Sequence, residues 1–145
     1  MKKIVLALSF LISASSVCAD YKTTLTKLET SANQGDLNAQ INLATAYRKG
    51  TGVTQDYKKA VKWFTLAAEQ GNALAQYNLG RLYYLGQGVS ENLVYAHMWS
   101  KQSSRNGFKM GDDLSKLLID FMSTAQIEEA NQLENDCLKK KYKEC

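Results

Sequence analysis

Proline is absent from all 145 residues. No helix is therefore kinked by a missing backbone donor, and stiff proline-rich linkers are excluded. Histidine occurs once, at His97, and cysteine three times. One histidine and one Cys-x7-Cys pair are poor supply for a metal site, and none is expected. The chain has no G-x-S-x-G elbow, phosphate loop, H-E-x-x-H or Ser-x-x-Lys. The marks of the corresponding hydrolases, nucleotide binders and penicillin-recognising enzymes are thus missing, and no catalytic residue or cofactor is implied. Excess charge is small. The formal net charge is +4, and it falls by two, to +2, once the leader lysines Lys2 and Lys3 are set aside. No basic patch interleaved with aromatics occurs, so nucleic acid is not an expected partner.

Long apolar runs are lacking too. The run Ile4 to Ile12 is shorter than the roughly 20 residues a membrane span needs. With Lys2 and Lys3 before it and Val17-Cys18-Ala19 after it, the segment 1–19 reads as a secretory signal peptide, with Asp20 as the new N-terminus. The rival is a lipoprotein lipidated at Cys18. Ser15, Ser16 and Val17 lack the usual leucine and small residue of such a site. The mature chain, 20–145, is expected to be one exported domain without stable membrane insertion.

What the sequence has is a period. A-Q-I-N-L-A-T-A-Y-R-K-G-T-G-V from Ala39 returns as A-Q-Y-N-L-G-R-L-Y-Y-L-G-Q-G-V from Ala75. A-V-K-W-F-T-L-A-A-E-Q-G from Ala60 returns from Ala96, ending at Gly107. Each matched pair is 36 residues apart, the mark of a stacked repeat. Ala39, Leu43 and Tyr47 fall on one helical stripe, and Ala60, Trp63, Phe64 and Ala67 on another. Gly50 and Gly52 break the chain between them. Gly35, Gly71 and Gly107 share the period and suit left-handed helix ends, while Thr54 and Ser90 are expected as N-caps. Residues 21–35 align with a second helix alone and would cap one end of the stack. Beyond Gly107 the pattern decays into a degenerate first helix containing Met110, Gly111, Leu114, Leu117, Leu118 and Phe121. Ser123-Thr124-Ala125-Gln126 then opens a closing helix as a capping box, with Ile127, Ala130 and Leu133 inward.

The pattern A-x-x-x-L-G-x-x-Y-x-x-G-x-G-V…A-x-x-W-x-x-x-A-A-x-x-G resembles the Sel-like repeat, a relative of the tetratricopeptide repeat. The two full copies, 39–71 and 75–107, span about half the chain. Ser103 and Ser104 replace the alanine pair in copy two, and Asn92 stands where Asp56 stands in copy one. These departures are expected to loosen the second repeat's outer helix. The resemblance implies an all-α, α/α solenoid used as a protein-binding scaffold; with the leader pattern, its expected place is the bacterial periplasm, or secreted. It implies a concave face lined by the first helix of each repeat. Its outward positions are Asn38, Ile41, Thr45 and Arg48, then Leu74, Tyr77, Arg81 and Tyr84. Tyr and Arg are enriched at binding hot spots, which singles out Tyr77, Arg81 and Tyr84. The partner would be a protein or peptide. The competing reading is a cell-envelope hydrolase or cell-wall-binding protein, which would need converging catalytic groups in the groove.

Trp63, Trp99, Tyr47 and Tyr83 recur in register and are expected in the core. His97 is expected as a partly exposed helix residue. The run Lys139 to Lys141 reads as a solvated tail at the negative pole of the last helix. Cys137 and Cys145 remain after leader removal, and an exported location favours a disulfide. Eight residues of continuous helix span about 12 Å, whereas a disulfide needs Cα atoms closer than about 7 Å. Pairing within the chain therefore requires the tail to fold back after Cys137. An intermolecular bridge and two free thiols are the alternatives.

Overall fold

The computed structural model describes residues 23–145. The expected leader, Cys18, Asp20 and Tyr21 lie outside the described residues. Seven helices and no strand are found among the described residues. Helix α1 covers residues 23–33. It is followed by α2 (Leu37–Lys49), α3 (Tyr57–Ala68), α4 (Ala73–Leu85), α5 (Leu93–Arg105), α6 (Lys109–Ile119) and α7 (Thr124–Lys139). The all-α solenoid is as expected: α2 packs on α3, α3 on α4, α4 on α5, and α5 on α6. Helix α7 departs from the series by lying against α5.

The core forms where the two stripes meet. Leu43, Phe64, Leu79, Leu82, Met98, Trp99 and Leu118 are fully buried, and Trp63 and Tyr47 are nearly so. Tyr83 is only half-buried, stacked on Tyr95 at 5.2 Å between centroids. Ala32, 36 residues before Ala68, is buried, and Leu25 and Leu28 pack against the core.

Backbone punctuation explains the fixed period. Gly35, Gly71 and Gly107 take φ of +92°, +82° and +90°. Gly88 combines φ +77° with a close approach: a Cβ there would stand 2.4 Å from the Tyr57 carbonyl group, so only glycine lets this loop seat on the start of α3. The N-caps differ from expectation. Asp56 and Asn92, not Thr54 and Ser90, accept from the backbone N–H of Lys59 and Tyr95 at 3.0 Å. Both caps have extended backbone, and a carboxylate or amide oxygen reaches the third following N–H equally well. The exchange of Asp56 for Asn92 between copies therefore preserves the cap. Asp36 and Asn72 cap α2 and α4 in the same way. Ser123 and Gln126 form the expected capping box.

A ladder of amides ties the turns together. The Gln40 amide donates to the Ala32 carbonyl and accepts from Gln70 at 2.8 Å. One period later Gln76 donates to Ala68 and accepts from Asn106, also at 2.8 Å. These buried polar groups are satisfied by one another, which fixes the relative setting of successive repeats.

The second repeat's outer helix is not loosened. Ser103 is fully buried and its hydroxyl donates to the Ala73 carbonyl at 2.7 Å. Ser100, also buried, lies so close to α4 that a Cβ on Gly80 would be 2.8 Å from its Oγ. A Cβ on Gly111 would meet the Ser100 carbonyl at 2.6 Å and the Ser103 Cβ at 2.8 Å. Small residues on three helices let α4, α5 and α6 approach closely, and the serine hydroxyls find backbone acceptors.

Candidate partner-binding face

Helices α2, α4 and α6 each present one side away from the core. On α2, Asn38 is exposed and Ile41, Thr45 and Arg48 are half-exposed. Ile41 also leans on the core, so it supports the face more than it offers a free surface. The Nε of Arg48 is walled off from solvent with no acceptor among the described residues.

On α4, Leu74 is 41% exposed, and Tyr77, Arg81 and Tyr84 are half-exposed. The Arg81 guanidinium carbon lies 5.8 Å from the Tyr77 ring centroid. Behind it the Tyr77 ring rests on Phe108 at 5.2 Å, tilted 55°. The sequence places two tyrosines around an arginine. The structure pairs Arg81 with Tyr77 and braces that tyrosine with Phe108 at the N-cap of α6, giving a pre-positioned cation over an aromatic body.

Helix α6 adds a part of the face that sequence reasoning left out. Met110 is 51%, Leu117 46% and Phe121 61% exposed, with Leu114 half-exposed between them. Spacing of four and three residues puts Met110, Leu114 and Leu117 on one stripe of α6, and Phe121 follows in the turn after the helix. Met110 and Leu117 sit 36 residues after Leu74 and Arg81, so the repeat register alone could have found them. Asp113 and Asp120 occupy the places of Tyr77 and Tyr84.

Other residues singled out from sequence stand elsewhere. His97 is buried, not partly exposed. Its Nδ1 lies 3.1 Å from the Ser115 carbonyl and 3.2 Å from the Ser115 hydroxyl, because α6 covers that side of α5. Burial holds its pKa below the ordinary 6.5, against the opposing pull of the Ser115 carbonyl. The residue fastens α6 to α5 and reaches no groove. Cys137 and Cys145 are joined as a disulfide with Cα atoms 5.2 Å apart. Helix α7 runs to Lys139 before the tail reverses, with Lys141 and Tyr142 in the left-handed region and the Tyr142 N–H donating to the Cys137 carbonyl. The helix ends after Cys137 and the tail folds back, as pairing within the chain requires. The folded-back Tyr142 lies against Gly71 and donates its hydroxyl to Asn106, ending the amide ladder. Lys139, Lys140 and Lys141 are exposed, Lys139 pairing with Asp136.

The inward side of α7 carries a surprise. Ala130 is buried as expected, and Ile127 and Leu133 are half-buried. Glu134 is 2% exposed and receives Lys101 at 3.0 Å and Arg105, both from α5. Its backbone carbonyl accepts from Gln102. This is a clasp between helices: both cations come from α5 and meet one buried carboxylate on α7. No group of three or more His, Cys, Asp and Glu side chains able to hold a metal occurs among the described residues. No described helix is long and apolar enough to cross a membrane.

Paired helices repeated at a constant offset and stacked through glycine-ended turns define an α/α solenoid repeat protein. The Sel1 repeat model matches residues 37–72 and 73–108, and the chain belongs to the Sel1, or Sel-like, repeat family. Repeats of this family are in general protein–protein interaction scaffolds, and no catalytic family is among the matches. Its fold is similar to that of c5321, described as a protective antigen present in uropathogenic Escherichia coli strains displaying an SLR fold. The two share 29% identity with a TM-score of 0.76 over 81% of this chain. It is also similar to a Sel1 repeat protein from Oxalobacter formigenes, with 28% identity and a TM-score of 0.65 over 78% of this chain. The similar region spans 26% of the first protein and 54% of the second. No curated protein matches the chain.

Proposed function

We propose that this chain is an exported, non-enzymatic adaptor that holds a peptide or a partner domain on its concave face. One observation carries the reading: the outward side of α4, with Arg81 held over Tyr77, adjoins an uncovered apolar stripe on α6. An aromatic-supported guanidinium beside exposed leucine, methionine and phenylalanine has the composition of a binding hot spot. Leu74, Tyr77, Arg81 and Tyr84 would supply the centre, and Ile41, Thr45 and Arg48 one flank. Export to the bacterial periplasm or beyond rests on the leader pattern of residues 1–19 and on the Cys137–Cys145 pair, which suits an oxidising compartment. The similar E. coli protein is a protective antigen, which accords with a place outside the cytoplasm. No observation favours the envelope-hydrolase reading.

Site-specific photo-crosslinking in the producing bacterium tests the face. A photoreactive residue at Tyr84 should yield a discrete adduct, whereas one at the exposed Lys62 of α3 should yield none. Adducts at Lys62 alone would move binding to the outer helices. The mass of the processed chain tests export.

A further inference from the structure

The amide ladder has two equivalent steps, and only one of them is filled. Tyr142, on the tail that the Cys137–Cys145 disulfide folds back, lies over Gly71: a Cβ there would stand 3.3 Å from the ring carbon Cε2. The Tyr142 hydroxyl donates to the Asn106 side-chain oxygen at 3.1 Å. Gly71 has φ +82° and no side chain, so the ring rests on bare backbone.

The same step exists one period earlier. Gly35 and Gln70 stand 36 residues before Gly71 and Asn106. Gly35 has φ +92°, and the Gln70 amide donates to Gln40 at 2.8 Å just as the Asn106 amide donates to Gln76. Here no described atom comes within 4 Å of a Cβ at Gly35. The residue one period before Tyr142 is Asn106 itself, which is turned to Gln76 and fills nothing here. A cavity of about 370 Å³ is left, inside the range of about 300–1,000 Å³ common for ligand sites. Ala32 and Leu66 give it apolar walls, and Lys143 of the tail borders it on the side of the filled step. Gln70 uses its amide hydrogens on the Gly35 carbonyl and on Gln40, while its exposed side-chain oxygen accepts no bond among the described residues.

We infer that the open step at Gly35 and Gln70 is a binding site for the tyrosine side chain of a partner polypeptide. The ring lies on Gly35 against Leu66, and the hydroxyl donates to the Gln70 oxygen, repeating what Tyr142 does over Gly71. A polypeptide is the source because the tail that fills the neighbouring step docks its main chain as well: the Glu144 N–H donates to the Glu69 carboxylate at 3.3 Å, at the border of the open cavity. Phenylalanine lacks the donor. A phosphorylated tyrosine has lost its phenolic donor and brings negative charge beside Glu69, so it is rejected. None of these residues belongs to the outward face of α4, and the site stands apart from the concave-face reading.

Nuclear magnetic resonance titration of the isotope-labelled chain with a blocked Ala-Tyr-Ala tripeptide tests the inference. The backbone signal of Gly35 and the side-chain amide signal of Gln70 should move and saturate. The Ala-Phe-Ala counterpart should need roughly three- to tenfold more peptide, the worth of one net hydrogen bond. The phosphotyrosine tripeptide should leave both signals in place. Tyr142→Ala empties the filled step, so the tyrosine tripeptide should then move Gly71 too. Gln70→Leu should abolish the preference for tyrosine over phenylalanine. The parent's own preference decides the matter even where Gln70→Leu loosens the turn. Still signals at Gly35 and Gln70, or equal affinity for the tyrosine and phenylalanine peptides, would overturn the inference. Movement at Gly71 alone in Tyr142→Ala would confine the phenol to the tail's own step and overturn it as well. Saturation by p-cresol at the same concentration as the tripeptide would overturn the assignment to a polypeptide.

Discussion

Replacing Glu134 by glutamine isolates the clasp that fixes α7 to the solenoid. The side chain is 2% exposed and faces Lys101 at 3.0 Å and Arg105 from the neighbouring helix. Glutamine keeps the shape, so the packing of Ala130 and Cys137 beside it is unchanged. The charge is lost, and an amide N–H₂ now confronts cationic donors. A hydrogen bond to a charged group contributes about 1.5–3 kcal/mol. Two such bonds are not worth twice that here, because the Lys101 and Arg105 side chains are 32% and 54% exposed and water screens them. The expected loss is about 1–2 kcal/mol. At about 3–5 °C per kcal/mol for a domain of this size, melting should fall by about 3–10 °C. Glu134→Ala should cost more, since truncation adds a cavity. A double-mutant cycle with Lys101→Met should give a coupling of about 1 kcal/mol. High salt should leave most of that coupling, because a buried carboxylate is screened less than an exposed one. Melting of Glu134→Gln within 1 °C of the parent, or zero coupling to Lys101, would refute the clasp.

Acid should loosen the α5–α6 junction through His97. Burial sets its folded pKa below 6.5, so the unfolded chain takes up the proton first. The groups facing it are Ser115 on α6, Lys101 on its own helix and Glu134 on α7. Stability is complete above about pH 6.5 and is lost as pH falls below it, by at most about 1.4 kcal/mol per pH unit for one proton. Denaturant titrations between pH 7 and 5.5 should show this slope in the parent and lose it in His97→Gln; equal slopes would refute it. Processing makes the other prediction: the intact mass of the exported chain should begin at Asp20, and a lipidated Cys18 or a retained leader would contradict it.

The solenoid was legible because its signals are local and repeated. A period of 36, apolar stripes at helical spacing and three glycines in register leave one way to stack the helices. The same regularity located the outward residues of α2 and α4. It missed Met110, Leu114, Leu117 and Phe121 as part of the face, because the motif decays after Gly107 while the register persists. Thr54 and Ser90 looked like caps because hydroxyls commonly cap. The helices start two residues later, where Asp56 and Asn92 have the right reach. Tertiary packing decided the rest. Glu134 and His97 are polar residues that sequence places near solvent by default. Both are buried because α6 and α7 fold over α5, an arrangement that no short-range pattern encodes. Ser103 was misjudged for a related reason: a hydroxyl with a backbone acceptor permits close helix contact, as an alanine does.

The most direct test of the concave face is the affinity of Arg81→Ala for the partner recovered by crosslinking at Tyr84. The guanidinium is half-exposed and rests on Tyr77, so the variant should melt with the parent. Partner affinity should fall at least about tenfold, roughly 1.4 kcal/mol, because a cation supported by an aromatic ring and flanked by apolar side chains binds a carboxylate or carbonyl better than one in open water. Unchanged affinity with an unchanged melting curve would contradict the account and move binding off this face.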